Sequence, residues 1–217
     1  MITSNLFDEL KTKCKDVRKD IVKMIFSAGS GHPGGSLSAV EILTVLYFYE
    51  MRINPEEPGW PERDRFILSK GHAAPLLYAI LAERGFIKIA DLETFNAPGS
   101  NLQKHLDMHL VPGVELSTGS LGQGLSAAIG MTLNSRLEKI ENYVYVLVGD
   151  GEMQEGQIWE AAMAAAQFKT DHLIVFLDKN NCQVDGFTKD ICNVDPVDKK
   201  WEAFGWDVQS IDGHDIA

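Results

Sequence analysis

The chain has 217 residues, 45% hydrophobic and 24% charged, with 19 Gly and 8 Pro; it is long enough to bury roughly 70% of its unfolded surface and too ordinary in composition for extended disorder. Its 31 acids against 20 bases leave a net charge of -11, with no basic block or aromatic-interleaved basic stripe to offset it, which argues against a nucleic-acid partner. No window approaches 18 uninterrupted apolar residues and the start, MITSNLFDELKTKCKD, is charged throughout, so neither a membrane span nor an export signal is expected. Cys14, Cys182 and Cys192 are odd in number and form no CxxC, which suggests no disulfide frame or thiolate zinc site and fits a reduced, cytoplasmic setting.

Residues 6–26 put Leu6, Leu10, Val17, Ile21, Met24 and Ile25 on a roughly helical period, predicting an amphipathic helix. A second helix is expected from Ser38, where Ser-x-x-Glu with Glu41 reads as a capping box before an apolar run. GSGHPGGS joins the two. Residues 54–63 (NPEEPGWPER) read as a surface loop, RFILS as a short buried strand, and KGHAAPLLYAILAERG as a helix ended by Gly85. Residues 96–124 are irregular and rich in Gly, Pro and His; such long stretches are usually functional or disordered, and the motifs inside this one favour function. From 125 the pattern sharpens into a helix to about Lys139, a strand at 143–148, a helix over 154–168 and a strand at 172–178. This βαβ unit with continuous apolar strands predicts an α/β fold, a parallel sheet with helices on both faces. A last strand is expected near WDVQSI, and there are no internal repeats. Residues 1–217 read as a single domain lacking its last strand and helix.

GSGHPG (29–34) is a literal G-x-G-x-x-G, but it follows a helix rather than a strand and so reads poorly as a dinucleotide fingerprint. It is either a helix connector or, with His32 among glycines, a place where backbone approaches a ligand. TGSLGQG (118–124) opens a helix; it could offer N–H groups to an anion or be a plain helix start. His32, His72, His105 and His109 fall at loop positions without the spacing of a helical zinc pair. Gly149-Asp150-Gly151 lies at the carboxyl end of a parallel strand, where ligands bind in open α/β sheets, and Asn180 lies at the end of the next. Carboxylate, amide and backbone carbonyl are hard oxygen donors that suit Mg²⁺ or Ca²⁺, and a dication lets an acid face a phosphate.

GDG followed by NN is similar to the thiamine diphosphate motif. With SGHPGGSLSAVEIL, DRFILSKGHAAPLLYA, PGVELSTGSLGQGLSAAIGM and GDGEMQEGQIWEAAMAA in order, nearly the whole chain resembles the amino-terminal half of the transketolase family. The resemblance implies thiamine diphosphate and Mg²⁺, with Ca²⁺ able to substitute, and a two-carbon ketol transfer between sugar phosphates in carbohydrate metabolism such as the pentose phosphate pathway. It implies metal ligands at Asp150, Asn180 and the Cys182 carbonyl, and diphosphate near His72 and the Gly151 amide. Gly119, Ser120, Leu121 and Gly149 would line the cofactor, and His32, His72 and His105 would be the catalytic histidines. Glu155, counted with the cofactor site, and Glu160 would face a subunit interface linking paired active sites.

The pyrimidine-binding half of such an enzyme is absent from this sequence, so the resemblance implies either a carboxy-terminal partner subunit, within a homodimer or heterotetramer, or a fragment of a longer chain. The competing readings are another thiamine diphosphate enzyme, of the deoxyxylulose-phosphate synthase type, and a non-catalytic homologue. One departure stands out: the family's GHPDM is KHLDM here, with Lys104 and Leu106 flanking His105. Glu152 is left without a task and reads as a solvated loop carboxylate.

Overall fold

Leu10, Cys14, Val17, Ile21 and Met24 form one buried stripe on the first helix, α1 (Ser4–Ala28), as their period predicts. The Thr3 hydroxyl accepts from the Leu6 N–H at its start, and Gly29, left-handed at φ 58°, ends it. The computed structural model describes residues 3–217, which divide into two compact units. The first runs to Arg63 and adds Gly71–Gly119 and Asp212–Ala217; the second holds Asp64–Lys70 and Ser120–Ile211.

In the first unit α1 is followed by α2 (Pro33–Leu37) and α3 (Val40–Val45), which runs into a π-helical turn at Leu46–Glu50. A 3₁₀ turn at Gly71–Ala73 leads into α4 (Ala74–Arg84), and a further 3₁₀ helix spans Ile89–Thr94. Every residue of α4 from Ala74 to Ala82 is buried, so this helix is the centre of the unit, with α1 and α3 packed on it. Gly85 ends it in the left-handed conformation. The capping box at Ser38 does not form. Ser38 closes α2, its hydroxyl donating to the Gly35 carbonyl, and Ala39 stands at the start of α3. Glu41 instead turns to tertiary partners: Arg18, at 2.6 Å, and His214.

The second unit is built on three parallel strands in the order β1 (Arg65–Leu68), β2 (Val144–Gly149), β3 (Leu173–Asp178). Arg65 stands opposite Val144, and Val144 opposite Leu173, so the carboxyl ends of all three strands line up. All six residues of β2 are buried, as expected for the middle strand of a sheet covered on both faces. Helix α5 (Gln123–Glu138) packs on the sheet, and α6 (Gly156–Phe168) packs on α5 and links β2 to β3 after a 3₁₀ turn at Glu152–Gln154. Beyond β3 come a two-stranded hairpin, β4 (Cys182–Gln183) and β5 (Gly186–Phe187), and the short helices α7 (Thr188–Ile191) and α8 (Val197–Ala203).

The strand expected near WDVQSI is not there: residues 206–211 have no regular structure. Trp206 is drawn instead into side-chain packing. Its ring meets Trp201 edge-on at 4.8 Å and its indole N–H donates to the Ala162 carbonyl of α6.

Candidate active site

The aligned strand ends of the second unit gather three buried acids. Asp150, the first residue past β2, is 2% exposed. One carboxylate oxygen accepts from the Gly151 N–H at 2.9 Å, the other from the Asn181 N–H at 2.7 Å and the Thr188 hydroxyl at 3.4 Å. Burial raises its pKa, and the nearby Asp178 charge adds to that, against the lowering effect of the two backbone donors. No cation among the described side chains pairs with it.

Asp178, ending β3, is in a buried ion pair with Lys70, which follows β1. Two adjacent strand ends thus carry one neutralised and one uncompensated carboxylate. Asn180 follows immediately; its Oδ1 accepts from the Cys182 N–H at 2.9 Å, which retains a second lone pair and folds the 180–182 turn beside the amide that binds Asp150. Among the described residues no three His, Cys, Asp or Glu side chains group as a metal cluster would. The donors here are of another kind: one carboxylate, one amide oxygen and a backbone carbonyl. A buried anion lacking a cation, with hard oxygens on the following turn, fits Mg²⁺ or Ca²⁺.

Glu152 is not the solvated carboxylate the sequence suggests. It is 2% exposed. Its Oε1 accepts from the Ser69 hydroxyl at 2.5 Å and the Gly122 N–H at 2.8 Å, and its Oε2 from the Gly149 N–H at 3.1 Å. Burial pushes its carboxyl up, against these three donors and the Lys70 charge. Gly122, left-handed at φ 85°, is the cap of α5. Of the two readings of TGSLGQG, the anion reading has an internal answer at Gly122, whose amide is taken by a protein carboxylate. Glu155 and Glu160 are exposed, and neither carboxylate bonds to another of the described residues.

In the first unit the loops bring the histidines together. His32 stands at the start of α2, and its ring meets that of His72 edge-on at 5.4 Å. Burial lowers the His32 pKa, and the Lys104 and His105 charges lower it further, so Lys104, the departure from the family pattern, lies within electrostatic reach of His32. The neutral ring that results can accept a hydrogen bond. His72 follows Gly71, where a β-carbon would stand 2.7 Å from the Gly119 nitrogen and from the Thr118 carbonyl carbon. Only glycine lets these backbones approach so closely.

His105 packs against Gly119, its ring 3.3 Å from the position of a Gly119 β-carbon. The buried Tyr78 of α4 donates its hydroxyl to the Gln103 carbonyl at 2.9 Å and to that of His105 at 3.4 Å, which anchors the loop. Leu106, where the family has proline, is buried and serves as a second anchor. The sequence reading missed Tyr78, Ser69, Lys70 and Asp178. Ser69 and Lys70 follow a predicted strand and Asp178 ends one, so the carboxyl-end rule that found Asp150 could have found all three.

No helix of the described residues is long and apolar enough to cross a membrane. Residues 11–217 match the family described as transketolase, thiamine diphosphate binding domain. Over 206 residues the chain is 52% identical to the 6-deoxy-6-sulfo-D-fructose transketolase subunit SqwG of Clostridium sp. (strain MSTE9), covering 95% of this chain and 75% of that protein. It is 48% identical to one of the subunits of the apulose-4-phosphate transketolase of Actinobacillus succinogenes, covering 97% of this chain and 76% of that one. The crystal structure of transketolase from Campylobacter jejuni superposes with a TM-score of 0.91 at 35% identity, over 95% of this chain. The chain spans about a third of the length of that solved protein, 34%.

Proposed function

The chain belongs to the transketolase family, in its thiamine diphosphate-binding domain, and from that premise we propose that it is the amino-terminal subunit of a split transketolase. With a carboxy-terminal partner that carries the pyrimidine-binding domain, it moves a two-carbon ketol unit from a ketose to an aldose, the sugars being phosphorylated or similarly anionic. The observation that carries this reading is identity: the chain is 52% and 48% identical to two relatives named as transketolase subunits, against 42% to human transketolase.

In this reading Asp150, Asn180 and the Cys182 carbonyl hold Mg²⁺, or Ca²⁺ in its place. The Gly151 N–H and His72 meet the diphosphate, and the backbone of Gly119, Ser120, Leu121 and Gly149 lines the cofactor. When bound, thiamine diphosphate supplies the nucleophilic carbon that accepts and returns the two-carbon unit. His32, His72 and His105 face the cofactor and the sugar, where they orient hydroxyls and help move protons. Glu155 and Glu160 face another subunit, in a homodimer or heterotetramer. The setting is cytoplasmic carbohydrate metabolism, such as the pentose phosphate pathway or a specialised sugar route, since the relatives' names include 6-deoxy-6-sulfo-D-fructose and apulose 4-phosphate.

The test is reconstitution with Mg²⁺, thiamine diphosphate and a panel of ketose donors, with and without a carboxy-terminal subunit. Transfer is expected only with both subunits; turnover by this chain alone would overturn the split arrangement, and consumption of pyruvate would favour the deoxyxylulose-phosphate synthase type. Asp150→Ala should weaken thiamine diphosphate binding by the assembled complex at least about 100-fold, the upper end of what losing even an outer partner of a metal ligand costs. Unchanged binding in that variant would favour a non-catalytic homologue.

A further inference from the structure

Glu152 closes a short ring around the candidate metal ligand. It lies on the 3₁₀ turn just after Asp150, and its side chain folds back to the Gly149 N–H, so the turn 149–152 is tied at both ends with Asp150 inside it. The same carboxylate reaches two distant elements, the Ser69 hydroxyl after β1 and the Gly122 N–H that caps α5. Three donors converge on one buried acceptor, a geometry in which charge-assisted hydrogen bonds are strongest and a missing one costs most. Its negative charge also sits at the amino end of α5, where the helix dipole favours it.

We propose that Glu152 is a positioning residue for the cofactor, the internal anion that fixes the end of β1, the end of β2 and the start of α5 so that Asp150 and Gly151 are held ready to bind. This rests on the transketolase reading above. Glu152 does not itself touch the cofactor in this scheme. It acts through the Gly149 amide and the α5 cap. A carboxylate is specifically required, because it only accepts. Glutamine has nearly the same shape, but its amide NH₂ would face either the Gly149 N–H or the Ser69 and Gly122 donors, whichever way it is flipped.

The experiment compares wild type with Glu152→Gln, each in complex with the carboxy-terminal partner. Three results are expected together: the Kd for thiamine diphosphate at fixed Mg²⁺ rises 10-fold or more, kcat at saturating cofactor returns to within about 3-fold of wild type, and amide exchange of the chain quickens at Gly122 and Gly149 while Tyr145–Leu147 stay protected. A Kd within 2-fold of wild type would overturn the proposal, and so would a raised Kd accompanied by lost protection throughout β2 and α5, which marks general destabilisation. Should Glu152→Gln fail to fold, Ser69→Ala carries the same test, because it keeps the carboxylate and deletes one donor. A smaller rise in Kd with the same exchange pattern supports the proposal, and an unchanged Kd overturns it. If wild type itself binds no thiamine diphosphate, the family-based function fails rather than the role of Glu152.

Discussion

In the second unit the buried acids at the strand ends are held by hydrogen bonds and ion pairs: Asp150 by two backbone amides and Thr188, Glu152 by three donors, Asp178 by Lys70. In the first unit close packing contributes to where the histidines stand. His32 rests edge-on against His72, His72 follows a glycine that admits a close backbone crossing, and His105 lies on the face of Gly119. The two sets differ in what misplacement costs. A buried charge out of place costs several kcal/mol, so its surroundings must satisfy it atom by atom. A neutral imidazole carries no such charge to satisfy, and close packing can contribute to its orientation.

Lys70 and Gly71 are sequence neighbours, one in each unit, and offer a direct test of that difference. Lys70→Met strands the buried Asp178 without its cation and should cost about 3–5 kcal/mol in denaturant unfolding. If Lys70→Met is as stable as wild type, the acids of the second unit do not depend on their partners as described. Gly71→Ala forces a methyl against the Thr118–Gly119 backbone, 2.7 Å away, and should cost about 1–3 kcal/mol by overpacking. Its signature is steric, so the loss should be insensitive to salt and pH, unlike one that comes from charge.

The smallest expected effect is at His32. Its pKa lies below the ordinary value near 6.5, first because of burial and then because of the Lys104 and His105 charges. An unfolded chain therefore binds this proton at higher pH than the folded one. The contribution to stability is complete above about pH 6.5 and is lost as pH falls through the folded value. Lys104→Gln removes one lowering charge, so the His32 ring should titrate at higher pH by NMR; a shift in the opposite direction would detach Lys104 from the histidine group.

The parts of this molecule that were legible in sequence are those whose cause is local. The apolar runs of β2 and β3 and the glycine turn after β2 predict the sheet and place Asp150 at its edge, and the stripe on α1 predicts its buried face. The misreadings share a different origin. Ser38 and Glu41 have the spacing of a cap, but Arg18 and His214 claim the glutamate from 23 and 173 positions away. WDVQSI has the composition of a strand, but its tryptophan packs on Trp201 and bonds to α6. Glu152 looks solvated because its partners Ser69 and Gly122 lie 83 and 30 positions earlier. At His105, where Lys104 and Leu106 depart from the family pattern, Leu106 is buried and Tyr78 holds the backbone from α4.

The register of the sheet also bears on how the chain reaches this state. β2 and β3 are joined by a single helical connection, α6, so their pairing closes a modest loop and can come early. β1 must find β2 across the whole of Gly71–Gly119 and α5, since Arg65 pairs opposite Val144. Pairings that close large loops are slow to form. The end of β1 that carries Ser69 and Lys70 is thus among the last pieces to dock, and until it does Glu152 lacks a donor and Asp178 lacks its cation. Completion of the sheet, pairing of Asp178 and full hydrogen bonding of Glu152 are therefore expected to coincide late in folding.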